Sequence, residues 1–251
     1  DMSEDESWFS FSQTITTSEN KLFLTNRIDK STIELSVEPG SYSSSGFSND
    51  NKYFFFITDV GEEFSYLVKY EIKTGKEEVL FQTNWDVMYS YLSENEKYRV
   101  TAVNEDGKNT LFIKNLVNNS DVFFPEIPDG DIKGVRISKS EKKIRLTIGT
   151  SKSPNNIYVY NMSNKDLKKL TKTLNPEINI NDMVAAEVVR YASFDGLEIP
   201  AIYYKPLDAT KGNKAPALVW VHGGPGGQSR TGYSSFIQYL VNHGYAILAV
   251  N

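Results

Sequence analysis

The chain has 251 residues, with 27 Lys plus Arg against 32 Asp plus Glu, two His and no Cys; its length suits one large domain or two ordinary ones, and a hydrophobic share of 39% is enough for a packed core. The missing cysteine excludes a disulfide scaffold, a catalytic thiol and an iron–sulfur centre, and two histidines argue against a zinc site, so no metal or cofactor is expected. A net charge of −5 argues against nucleic acid as a partner, and no apolar run approaches the roughly 18 residues of a membrane span.

The opening Asp1-Met2-Ser3-Glu4 is acidic and is no signal peptide, which leaves the compartment open. From there the chain repeats itself. Ser3, Ser48, Ser93 and Ser138 stand 45 residues apart, and each leads a polar turn followed by a strand-like run such as Tyr53-Phe54-Phe55-Phe56. A second series runs in phase, with strand-then-turn segments beginning near Phe23, Leu67, Leu111 and Ile157. These segments are rich in Tyr, Phe, Ile, Val and Thr and lack a 3.6-residue period. Several short strands per copy at a period near 45 predict β-propeller blades, with a β-sandwich as the alternative. Four blades fill residues 1–185. The first starts with no lead-in, so the expectation is part of a larger ring.

After residue 185 the pattern changes. Residues 187–193 read as a strand, Asp195-Gly196 as a hairpin turn and residues 197–204 as the return strand. Ala217-Leu218-Val219-Trp220-Val221 is a continuous apolar run, expected to be a strand buried on both faces. Tyr233, Phe236, Ile237 and Leu240 predict an amphipathic helix, capped by Ser234 or Ser235 and closed by Gly244, before a second buried strand at 245–250. Strand, glycine loop, helix and strand make a βαβ unit.

The loop His222-Gly223-Gly224-Pro225-Gly226-Gly227-Gln228 carries the chemistry. Glycines leave backbone amides uncovered, and a loop between a strand and a helix can aim them at a developing oxyanion. A phosphate cradle fails on detail, because neither a P-loop nor a Gly-x-Gly-x-x-Gly spacing occurs. A plain tight turn is the remaining alternative.

The repeats, the segment Tyr191-Ala192-Ser193-Phe194-Asp195-Gly196-Leu197 and the loop after Val219-Trp220-Val221 together resemble the prolyl oligopeptidase family of serine peptidases, in its acylaminoacyl-peptidase and dipeptidyl-peptidase-like branch. That resemblance implies a seven- or eight-bladed propeller, here seen as four blades, followed by the N-terminal part of an α/β-hydrolase domain at residues 186–251. It implies short peptides as substrates, access gated by the propeller, and the backbone N–H groups of Gly223 and Gly224 as part of the oxyanion hole. His222 and Pro225 would be structural in the loop.

The family's nucleophile lies in a Gly-x-Ser-x-Gly elbow, and none occurs in these 251 residues. No catalytic residue is therefore assigned, the chain alone is expected to be inactive, and it is read as a fragment. Ser229 lies before a helix and is not read as a nucleophile. His222 and His243 are read as structural, and Trp220 as core. Glu62-Glu63, a pair of the kind some relatives use to hold a free amine, is read as a solvated hairpin tip. The alternatives to a peptidase fragment are a non-catalytic propeller that binds a partner, or another α/β-hydrolase such as an esterase. Oligomeric state is left open.

Overall fold

A computed structural model describes residues 1–123, 130–224 and 226–251. The chain forms two compact units. One comprises Asp1–Glu105, Thr110–Phe123 and Lys139–Glu141; the other comprises Asp106–Asn109, Phe124–Ser138 and Lys142–Asn251.

The first unit holds three sheets. Strands β1 (Trp8–Thr14), β2 (Asn20–Asn26) and β3 (Thr32–Glu34) form a three-stranded meander. Strands β4 (Tyr42–Phe47), β5 (Tyr53–Thr58), β6 (Tyr66–Glu71) and β7 (Glu77–Phe81) form a four-stranded one. The third contains β8 (Asp86–Leu92), β9 (Tyr98–Glu105), β10 (Lys108–Asn115) and β11 (Ser120–Asp121). In the second unit, β12 (Asp131–Ile137), β13 (Lys143–Thr150), β14 (Ser153–Asn161) and β15 (Asp166–Lys169) repeat the four-stranded meander. Pairing is antiparallel through β1–β2–β3, β4–β5–β6–β7 and β12–β13–β14–β15, and between β8 and β9 and between β10 and β11.

The serine repeat has a physical cause. The backbone N–H of Ser3, Ser48, Ser93 and Ser138 donates to the carbonyl five residues on, at Trp8, Tyr53, Tyr98 and Lys143. The serine Oγ accepts the return bond from that residue's N–H at 2.9, 3.0, 2.9 and 3.1 Å respectively. Between them Glu6, Asn51, Glu96 and Glu141 all take the left-handed conformation, with φ of 54–56°. A hydroxyl at the turn's entry thus gives the amide five residues on a partner in each copy, an amide that is buried at Tyr98, part-buried at Trp8 and Tyr53 and exposed at Lys143. Tyr53 and Tyr98 each open the second strand of a four-stranded sheet, the equivalence the spacing predicts.

Packing follows strand alternation. On β5, Phe54 and Phe56 turn to one side and join Leu22, Leu24, Leu35, Tyr42, Val68 and Tyr70. Phe55 and Ile57 turn to the other and join Leu67, Val87 and Val103. A run that looks uniformly apolar is two alternating faces, each filling a different inter-sheet layer.

The last sheet differs in kind. Its order is β16 (Ala186–Ala192), β17 (Glu198–Tyr204), β19 (Ala246–Val250), β18 (Ala217–Val221), with α1 (Ser235–Asn242) between β18 and β19. β16 and β17 pair antiparallel around Asp195-Gly196, whereas β18 and β19 run parallel. Helix α1 is capped by Ser234, whose side chain accepts from the Ile237 amide, and is followed by Gly244 at φ 85°. Ile237 and Val241 pack with Val184, Ile202, Tyr204, Ile247 and Ala249. Gln238 is buried and donates at 2.8 Å to the carbonyls of both Ser151 and Val184.

One expectation fails here. β18 is not buried on both faces: Val219 and Val221 are 66% and 71% exposed, and Trp220, expected in the core, is 38% exposed against Phe236. The reason is sheet order. β18 lies at the edge and pairs only with β19, and α1 directs its apolar stripe onto β19 and β17.

Candidate functional site

The glycine loop leaves the C-terminal end of β18 and enters α1, the place where a parallel strand delivers its loop to the top of the sheet. Gly223, Gly224, Gly226 and Gly227 are all exposed. The loop folds back on itself. A Cβ on Gly227 would collide with the Gly223 carbonyl and sit 2.8 Å from His222 Nδ1, and one on Gly224 would lie 3.2 Å from the Gly226 amide. Only glycine fits at position 227, whereas a side chain at 223 would meet open space. Close approach of two backbone segments therefore accounts for part of the glycine content.

His222 Nδ1 lies 2.9 Å from the Gly223 carbonyl. A carbonyl oxygen can only accept, so Nδ1 carries the proton, and the ring braces the first peptide of the loop. Pro225 lies outside the described residues.

The downstream limb is pinned to the end of β19. The Ser229 amide donates to Asn251 Oδ1 at 2.6 Å, its hydroxyl donates to the Val250 carbonyl at 3.0 Å, and Asn251 Nδ2 donates to the Ser229 carbonyl at 3.2 Å. Ser229 is 8% exposed. Its hydroxyl is spent on a strand carbonyl and fastens the loop to β19. His243, the C-cap of α1, places Nδ1 2.8 Å from the Tyr239 carbonyl and its ring against that of Tyr239. Glu62 and Glu63 are exposed in the loop between β5 and β6.

The structure adds residues that sequence reasoning missed. The turn Asp106-Gly107, with both φ values positive, abuts the downstream limb: a Cβ on Gly107 would lie 3.2 Å from the Ser229 carbonyl. Next to it, Arg230 donates to Asn109 Oδ1 at 2.8 Å and lies 3.8 Å from Asp131 Oδ1. Asp131 is fully buried, accepts from the Asn109 amide at 3.0 Å, and forms an ion pair with Lys133. Arg190 pairs with Asp106, which holds its guanidinium above its ordinary pKa. No spacing in the sequence signals this cluster, because Asn109, Asp131 and Arg230 lie 22 to 121 positions apart along the chain. Among the described residues no group of three or more potential metal ligands occurs, and no helix is long and apolar enough to cross a membrane.

No family profile matches the chain. Two characterised relatives do. Dipeptidyl aminopeptidase BIII of Pseudoxanthomonas mexicana is 25% identical over 225 residues, which are 86% of this chain and 32% of that protein. Dipeptidyl peptidase family member 6 of Caenorhabditis elegans is 25% identical over 231 residues, 82% of this chain and 31% of that one. The chain thus spans about a third of the length of these relatives.

Among solved structures, the fold matches a puromycin-hydrolysing peptidase of Mycobacterium tuberculosis with a TM-score of 0.81 at 15% identity, over 99% of this chain and 40% of that one. It also matches a prolyl endopeptidase (TM-score 0.80, 18% identity, 100% and 37%) and an acylaminoacyl peptidase (0.69, 18%, 98% and 38%). The successive antiparallel sheets are those of the propeller in such proteins. The chain is similar in sequence to a dipeptidyl aminopeptidase and a dipeptidyl peptidase family member, and in fold to a prolyl endopeptidase and an acylaminoacyl peptidase.

Proposed function

We propose that this chain is part of a serine peptidase that hydrolyses short peptides. Residues 1–185 form part of the propeller that gates access, and residues 186–251 are the N-terminal portion of an α/β-hydrolase domain. The glycine loop supplies one half of the oxyanion hole through the backbone N–H of Gly224, with Gly223 beside it. The observation that carries this reading is the loop's position: exposed, glycine-built backbone between a parallel strand and a helix, in a chain whose relatives are peptidases.

Chemically, the loop amides would stabilise the oxyanion of the tetrahedral intermediate, and His222 would hold the first peptide in place while charge develops. That intermediate needs a nucleophile and a base. Ser229 is committed to Val250, and both histidines are committed to backbone carbonyls. The 251 residues alone therefore bind a developing charge but do not generate one.

The test is fluorophosphonate labelling with mass mapping, alongside turnover of aminoacyl chromogenic substrates. The 251-residue chain is expected to take no label, whereas the longer protein is expected to label on a serine outside it. Gly224→Val in the longer protein should lower turnover by about 10²–10³-fold, the cost of one oxyanion donor. Stoichiometric labelling of Ser229 would overturn the proposal, as would full activity of the Gly224→Val protein.

A further inference from the structure

The second and third sheets enclose a cleft of about 730 Å³, a volume typical of small-molecule sites. Its walls are largely apolar: Leu80 and Phe81 come from one sheet, Phe112 and Leu116 from the other, and the Phe81 and Phe112 rings meet at 4.9 Å between centroids. Three cations line it. Lys69 is neutralised by Glu78 at 2.6 Å, and Lys114 by Asp121 at 3.2 Å. The third, Arg99, is only 8% exposed, and among the described residues no carboxylate lies within ion-pair distance of it. The deepest charge in the cleft is the one without a counter-ion.

Arg99 is held in place by weak partners. Its guanidinium lies 4.1 Å from the centre of the Phe55 ring, and among the described residues its one hydrogen bond, to Ser90 Oγ, is 3.5 Å long. Burial pushes its pKa down to about 10, and Glu96 acts on it only at longer range. Strand alternation explains the placement. Arg99, Thr101 and Val103 share one face of β9, the face that packs against Phe55 and Ile57, so an arginine at 99 must enter the inter-sheet layer. Burying a cation without a partner is costly, and a site that accepts this cost recovers it when an anion arrives. A planar guanidinium offers a carboxylate two parallel donors.

We propose that this cleft binds an apolar carboxylate, with the carboxylate on Arg99 and the hydrocarbon tail along Phe81, Phe112 and Leu116. The charge selects an anion, the depth of the charge selects a slender head group, and the apolar walls select the tail. A free fatty acid and the C-terminus of an apolar peptide share this chemistry.

The test is calorimetric titration of the full chain with octanoate, N-acetyl-Leu-Phe and octanamide. Octanoate or the dipeptide should bind and octanamide should not; which of the two binds tells the sources apart. Arg99→Gln should weaken binding by about 10–100-fold, the value of a hydrogen bond to a charged group. Should that buried substitution fail to fold, Phe112→Glu at the half-exposed mouth puts a like charge in the tail's path and should abolish binding of both acids. Binding of octanamide as tight as that of the acids, unchanged binding in either variant, or no binding of either acid at millimolar concentration would each overturn the proposal.

Discussion

β5 and β18 read alike in sequence and end in opposite environments. Phe54, Phe55, Phe56 and Ile57 are 0–5% exposed, while Leu218, Val219, Trp220 and Val221 are 38–71% exposed. Hydropathy states what a strand can bury; its place in the sheet order decides what it does bury. β5 is second in a four-stranded sheet with other sheets against both its faces, whereas β18 is an edge with one neighbour. The difference sets where the molecule stores stability and where it exposes surface.

The largest effect tests that contrast directly. Phe56→Ala empties a fully packed site and should cost about 3–5 kcal/mol in urea denaturation. Val219→Ser alters a bare strand and should cost under about 0.5 kcal/mol. It should also raise solubility, because an exposed apolar edge invites pairing with another chain. Equal losses from the two would show that β18 is covered in solution.

Gly227→Ala sharpens the comparison at the loop. Its Cβ has no room beside Gly223 and His222, so the loop must open, yet the clash touches no core residue. Thermal stability should stay within about 0.5 kcal/mol of the parent chain. If the peptidase proposal holds, activity of the longer protein should fall by about 10²-fold, the scale of an ångström misplacement in a catalytic geometry. Lost stability with intact turnover would make the loop a structural turn.

Ser93→Ala probes the repeats at a smaller scale. Ser93 is buried; its Oγ accepts from the Tyr98 amide at 2.9 Å and donates to Glu141 at 2.5 Å. Removing it strands a buried amide, at about 1–3 kcal/mol. A loss below about 0.5 kcal/mol would mean that water replaces the hydroxyl.

The same contrast explains what the sequence could tell. The serine turns were readable because each copy makes the same local bond: the amide five residues on takes the serine hydroxyl as its acceptor, and four copies make the answer visible. The α1 cap at Ser234 and the stop at Gly244 were readable because helix ends impose local chemistry. The order β19 before β18 was not, since two parallel apolar strands carry no mark of which is central. Nor was the cluster of Asn109, Asp131 and Arg230, which exists only because distant segments meet. At the glycine loop, the sequence shows a need for bare backbone, and the structure supplies one reason for it, the close pass of Gly227 over Gly223.

The smallest effect compares two turn aspartates, one in each region. The Lys52 ammonium, 2.8 Å away, and the Ser48 hydroxyl, at 2.7 Å, hold the Asp50 carboxyl down to about 2 from 3.8. Asp195 is also lowered, but by the Leu197 amide first and with no cation beside it. A folded-state pKa below the unfolded one stabilises above the unfolded value and is lost as pH falls through the folded one. Asp50 thus contributes fully above pH 3.8, and its contribution fades towards pH 2. Its side chain is 47% exposed, so solvent screens the pair and the contribution is small. Melting temperatures of Asp50→Asn and the parent chain should differ at pH 5 and converge near pH 2, and added salt should narrow the gap at pH 5. Asp195→Asn should show a gap that responds less to salt, because an amide, not an ammonium, is the main partner. A salt response equal in both would remove the role assigned to Lys52, and a gap at Asp50 that persists unchanged to pH 2 would mean that its carboxyl is not held low.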